Sequence, residues 1–174
     1  QPAKFILWHN QGSRSTMPWD ARDYADRLRE AFPPVTPHEV VSPLARDVKP
    51  LGCERMVGAV KGKNWLEISP EEAMAVAPEI ITLTTEALGC LLPAFLKGAA
   101  MDLAGEGATY VFYALAPLDQ IDTYYERTCE LFTHGQASLI AELLDQMASS
   151  PSFSYFGDEP KTAIALWQRR AEGG

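Results

Sequence analysis

A chain of 174 residues with 47% hydrophobic and 22% charged residues has the make-up of one globular domain, far from the polar, highly charged compositions that stay unfolded. Its net charge of −8 argues against a general nucleic-acid binder, whose affinity needs clustered Lys and Arg, and suits a basic protein partner. No apolar run nears the roughly 20 residues that cross a bilayer. The opening residues lack a signal-peptide pattern, and Cys53, Cys90 and Cys129 form neither a disulfide framework nor a zinc motif, so a cytoplasmic protein without membrane contact is expected.

In chain order, Lys4 to Asn10 is apolar and precedes a Gly-Ser loop, which predicts a short strand. From Pro18 the spacing of Tyr24, Ala25, Leu28, Ala31 and Phe32 predicts a helix that ends at Pro33-Pro34. Residues 33–50 hold five prolines, namely Pro33, Pro34, Pro37, Pro43 and Pro50, and read as an extended internal connector within a single domain spanning 1–174. A helix is predicted from Leu51 to Lys61, stopped by Gly62. Ser69-Pro70-Glu71-Glu72 is a strong helix start, with a hydroxyl cap, proline at the first helical position and acids near the positive end of the dipole.

Glu79 to Leu83 is β-branched and predicts a strand. Thr84 or Thr85 then caps a helix to Ala104, which Pro93 should kink or divide. Tyr110 to Leu115 fits a strand or a buried helix equally well. A helix is predicted from Pro117 to Phe132, and Thr133 with Gln136 matches the capping box of the next one. Pro151 to Gly157 reads as an aromatic loop, and Asp158 as the cap of a last helix bearing Ile164 and Trp167. The fold expected is mainly α (α+β): a single compact helical domain with a small β component, its core including Leu88, Leu92, Phe95, Leu103, Phe112, Leu139, Leu143 and Trp167.

No catalytic constellation is recognisable. His9, His38 and His134 stand neither in a nucleophile elbow nor beside a cysteine with a known signature. Glu130 and His134 are four residues apart, but Thr133 breaks the helix between them and no second ligand pair follows, so neither metal nor cofactor is expected. No glycine-rich loop is placed to cradle a phosphate.

The charge distribution is more informative. Residues 1–64 carry ten basic and seven acidic side chains, and residues 65–174 five and sixteen. On the helix after Pro117, Asp119, Asp122, Glu126 and Glu130 succeed each other at helical spacing and form one acidic stripe. Glu142 and Asp145 extend it on the next helix. Phe153, Tyr155 and Phe156 could supply apolar anchors beside it. A solvated acidic face without a partner is the plain alternative.

Trp65-Leu66-Glu67-Ile68, then Leu83-Thr84, Leu92-Pro93-Ala94-Phe95-Leu96, Leu131-Phe132-Thr133 with Gln136, and finally Trp167 resemble a family of uncharacterised bacterial proteins over roughly residues 54–170. The resemblance implies a small domain of the kind found near toxin and immunity genes, with no catalytic residue to carry over. The N-terminal third has no counterpart in it. The expectation is a non-catalytic immunity protein that binds a bacterial toxin with a basic surface. A structural or regulatory adaptor and an enzyme with an unfamiliar site are the alternatives.

Overall fold

The computed structural model describes residues 18–116, 128–156 and 160–173. Among them the helices are α1 (Ala21–Ala31), α2 (Pro43–Val48), α3 (Pro50–Val60), α4 (Pro70–Val76), α5 (Thr85–Met101), α6 (Glu106–Leu115), α7 (His134–Ala148) and α8 (Pro160–Glu172), with short 3-10 segments at Trp65–Glu67, Ala77–Thr82 and Pro151–Phe156.

Local chemistry explains most helix starts. Asp20 accepts from the backbone N–H groups of Arg22 and Asp23 and opens α1. Reciprocal capping boxes join Asn64 to Glu67, Ser69 to Glu72 and Thr133 to Gln136, each satisfying two N–H groups that the first turn leaves free. Pro43, Pro50 and Pro70 each stand at a helix start, where a missing N–H costs nothing. Two of these prolines lie in residues 33–50, so the expected extended connector instead contains α2 and delivers the chain into α3. Gly62, at φ 75°, turns the chain out of α3.

The small β component is not seen among the described residues, which hold only an isolated antiparallel bridge between Val41 and Leu83. Ser42 N–H donates to the Thr82 carbonyl and Thr84 N–H to that of Val40, both at 3.0 Å. Glu79 to Thr82 coils into a 3-10 segment because Pro78 sets its first turn and the Thr82 hydroxyl donates back to the Glu79 carbonyl at 2.7 Å. Among the described residues it meets an extended neighbour at the Val41–Leu83 bridge alone, in a segment bounded by Pro37 and Pro43. Tyr110 to Leu115 resolves as helix: Ala108, Val111, Phe112 and Leu115 are the buried set, at spacings of three, one and three. The strand expected at Lys4 to Asn10 and most of the helix expected from Pro117 lie outside the described residues.

The core forms around α5, which packs against α1, α4, α6 and α7. It buries Leu91, Leu92, Phe95 and Leu96, and runs unbroken through Pro93. Phe112, Leu139, Leu143 and Trp167 are buried as expected, whereas Leu88 and Leu103 pack at its margin.

The C-terminal ends of α1, α4, α5 and α6 are met by side chains from distant segments. The indole N–H of Trp19 donates to the Ala100 carbonyl in the last turn of α5, that of Trp65 to Phe32 just past α1, and that of Trp167 to Leu115 at the end of α6. Gln136 donates to the Ala31 carbonyl, Arg55 to that of Ala75 near the end of α4, and Arg170 to that of Phe132.

Candidate functional site

The capping box at Thr133 starts α7 in a register that turns Leu139, Ile140, Leu143, Leu144 and Met147 inward. Ser138, Glu142 and Asp145 then fall on its outer side. The helix pairs along its length with α8, whose inward set is Ala163, Ile164 and Trp167. Small residues, Ala141 and Ala171, stand where the two helices meet. Between them is a solvent-open hollow of about 390 Å³ lined by Ser138, Ala141, Glu142, Asp145, Gln168, Ala171 and Glu172. Three of these are carboxylates and none is Lys or Arg.

The carboxylates are not equivalent. Glu142 is half-buried and receives both Nη1 and Nη2 of Arg27, each at 2.7 Å. Arg27 also donates Nε to Asp23 at 2.9 Å. Hydrogen bonding to Glu142 raises the guanidinium above its ordinary pKa, so this charge is held in a pair. Beneath it the Tyr24 hydroxyl donates to the Leu139 carbonyl at 2.8 Å, and the Arg27 guanidinium lies 5.7 Å from the centre of the Tyr24 ring. Burial, and then the charge of Glu142, pushes the Tyr24 phenol well above its ordinary value. Asp145 and Glu172 are exposed.

Glu130 is exposed too, just before α7, and its backbone carbonyl accepts from Arg170 at 3.4 Å. Arg170 also donates Nε and Nη2 to the Phe132 carbonyl. Asp119, Asp122 and Glu126 lie outside the described residues, as do the side chains of Tyr155 and Phe156. Phe153 is not offered at the surface: it is buried, its ring 4.8 Å from that of Phe112 at 45°. An aromatic so packed contributes to the fold and cannot serve as an exposed anchor.

The structure thus joins Glu142 and Asp145, which sequence reasoning selected, with Glu172, Gln168 and Ser138, which it missed. The signal for the latter was weak but present: Gln168 and Glu172 are four apart on α8, and Ser138, Glu142 and Asp145 share one stripe of α7. Arg27 was missed because its i,i+4 spacing from Asp23 suggests only a local pair.

Chemically, the hollow offers hydrogen-bond acceptors and negative charge over a small-residue floor. Among the described residues no group of three His, Cys, Asp or Glu side chains converges as a metal site would require. No disulfide joins Cys53, Cys90 and Cys129. Burial, then Glu86, raises the Cys90 pKa, which keeps it a protonated, weakly nucleophilic group. None of the described helices is long and apolar enough to cross a membrane. No family model, curated protein or solved structure matches the chain.

Proposed function

We propose that this chain is a non-catalytic binding protein of the immunity type, which neutralises a protein toxin by covering a basic surface of it with the face formed by α7 and α8. The observation that carries the reading is the hollow between those helices, where Asp145 and Glu172 stand exposed with no Lys or Arg in the lining. A toxin that acts on nucleic acid presents a basic cleft to bind phosphates, and carboxylates on a fixed helical frame can occupy it in their place. Opposite charges accelerate encounter and make the association rate salt-dependent. Glu142 is neutralised by Arg27 and serves as a fixed part of the rim, while Asp145 and Glu172, which hold no ion pair among the described residues, can take incoming cations.

The test uses the immobilised chain and its Asp145→Lys, Glu172→Lys double variant on lysate of its own host at low and high salt. The expected result is a basic protein that is toxic when expressed alone, is silenced by the wild-type chain, and is released by salt and by the double variant, whose melting temperature is unchanged. Equal retention and equal protection by the double variant would move the interface off this face. Retention of nothing toxic would remove the immunity reading itself.

A further inference from the structure

Helix α3 runs beside the stretch 38–46, and two hollows open along the seam between them. One, of about 400 Å³, has apolar walls from Val41, Pro50, Cys53 and Val57, and Gly58 leaves part of its lining without a side chain. The other, of about 380 Å³, is lined by His38, Glu39, Val40 and Lys61. Arg46 and Val57 belong to both linings, so the two hollows make one trough. Each is of the size that holds a small molecule. Gly58 lies inside α3, where glycine costs stability relative to alanine. No close approach requires it, because a Cβ there would meet nothing within 4 Å. The effect of its missing side chain is to keep the hollow open.

The charged groups are sorted along the trough. Glu54 edges the apolar hollow. Lys61, seven residues further at the end of α3, edges the other, about 10 Å away on the same side of the helix axis. Arg46 stands between them. At the Lys61 end, the guanidinium of Arg46 and the ammonium of Lys61 share the lining with a single carboxylate, Glu39. That carboxylate comes no nearer to Arg46 than 3.9 Å, beyond hydrogen-bond range. Neither cation makes a hydrogen bond among the described residues, so donors outnumber acceptors at this end. The other charged groups of 38–61 are outside the lining. Asp47 and Lys49 are exposed, and Arg55 donates to the Ala75 carbonyl at 2.7 Å, on the side of α4. Glu86 accepts from the His38 backbone N–H at 3.3 Å and is not in the lining either.

We infer that the trough binds a small amphipathic acid, with its apolar body in the hollow beside Gly58 and its anionic head between Arg46 and Lys61. The apolar walls give a purely polar ion nothing to bury against, and the unmatched donors set the sign of the head. Arginine can hold a carboxylate through two parallel N–H bonds. Glu54 repels an acid head at the other end, which fixes the direction in which the molecule lies. The separation of Glu54 from Lys61 limits the body to about 10 Å.

None of the residues of the acidic face takes part, so failure of this inference would leave the function proposed above untouched. Octanoate, octanol and octylammonium, alike in body and different in head, are titrated at neutral pH into the full chain and followed through its backbone amide resonances. Octanoate should shift the amides of residues 53–61 and saturate with a dissociation constant on the order of 1 mM. Octanol should bind about 10-fold more weakly, having lost the charged hydrogen bonds, and octylammonium more weakly still. Arg46→Gln with Lys61→Gln should bring octanoate down to the level of octanol and leave octanol as it was. Gly58→Leu should weaken both by about 10-fold or more by filling the hollow. It should melt no lower than the wild type, since leucine favours a helix and meets no neighbour there. Lys49→Gln, which removes a cation outside the lining, should bind octanoate as the wild type does. The absence of a saturable shift at 53–61 overturns the inference, as does octylammonium binding as tightly as octanoate. Undiminished binding by Gly58→Leu, or loss of octanoate binding in Lys49→Gln, overturns it too.

Discussion

Arg27 and Glu142, 115 residues apart in sequence, meet in a two-pronged bridge with both contacts at 2.7 Å, which ties α1 to α7 beside the acidic hollow. Their side chains are 39% and 35% exposed, so solvent screens much of the attraction, while the fork geometry recovers part of it. Arg27→Met and Glu142→Gln are each expected to cost about 1 kcal/mol. The double variant should cost less than their sum, because the second change removes a partner already lost. Urea denaturation of the four proteins checks this. Strict additivity would mean that the bridge contributes nothing in solution.

Tyr24 lies under that bridge, and its raised phenol pKa has a definite consequence for alkaline stability. The folded chain holds the proton more tightly than the unfolded one, whose value is the ordinary 10.0. Its stabilisation is therefore complete below pH 10.0 and is lost as pH rises through the folded-state value. Tyr24→Phe is expected to cost about 1 kcal/mol at neutral pH through loss of the bond to Leu139. The gap to the wild type should narrow above pH 10.0. Thermal melts across that range decide it: a constant gap would place the phenol in contact with water.

Glu72 has the opposite sign. The Ser69 backbone N–H, and then Lys63, lower its carboxyl below the ordinary 4.5, so its contribution is present above pH 4.5 and disappears as pH falls through the lower folded value. Glu72→Gln should melt lower than the wild type at neutral pH and converge with it in acid. Carbon-detected titration of the Glu72 carboxyl gives an independent check, and an ordinary midpoint would mean that the capping box opens in solution.

Phe153 separates a folding role from a binding role. Buried against Phe112, it should cost about 3 to 5 kcal/mol when changed to alanine. Leu143→Ala, also in the core, should fall at about 2 to 5 kcal/mol. A Phe153→Ala protein with near-normal stability and impaired partner capture would return the ring to the interface.

What could be read in the sequence divides along the direction of the helices. N-termini are closed by residues within three positions of the start, as with Asp20, Ser69 and Thr133, so capping chemistry is legible in a short window. Apolar spacing located α1, α5 and α7 for the same reason. Residues 79–83 misled because β-branching favours a strand only where a neighbour exists to pair with, and Pro43 had already removed that neighbour. α2 escaped notice since five prolines suggest an extended chain, whereas two of them sit at helix starts. Of the acidic face, Glu142 and Asp145 could be chosen from spacing alone. Glu172 and the clamp on Glu142 required knowing that α8 and α1 lie against α7, which no local pattern encodes.

The tryptophan bonds at the helix C-termini bear on how the molecule comes apart. An ordinary helix end opens and closes on its own, turn by turn, at little cost. Here the last turn of α5 is held from before α1, the end of α1 from the start of the 65–67 segment and from α7, and the end of α6 from α8. Fraying at any of these ends must first undock a buried or half-buried ring, or a glutamine, that belongs to another element. The amides of those turns should therefore exchange with solvent only in the same global event that exposes the indoles, and fluorescence of Trp19, Trp65 and Trp167 should report one transition in which helices and packing are lost together.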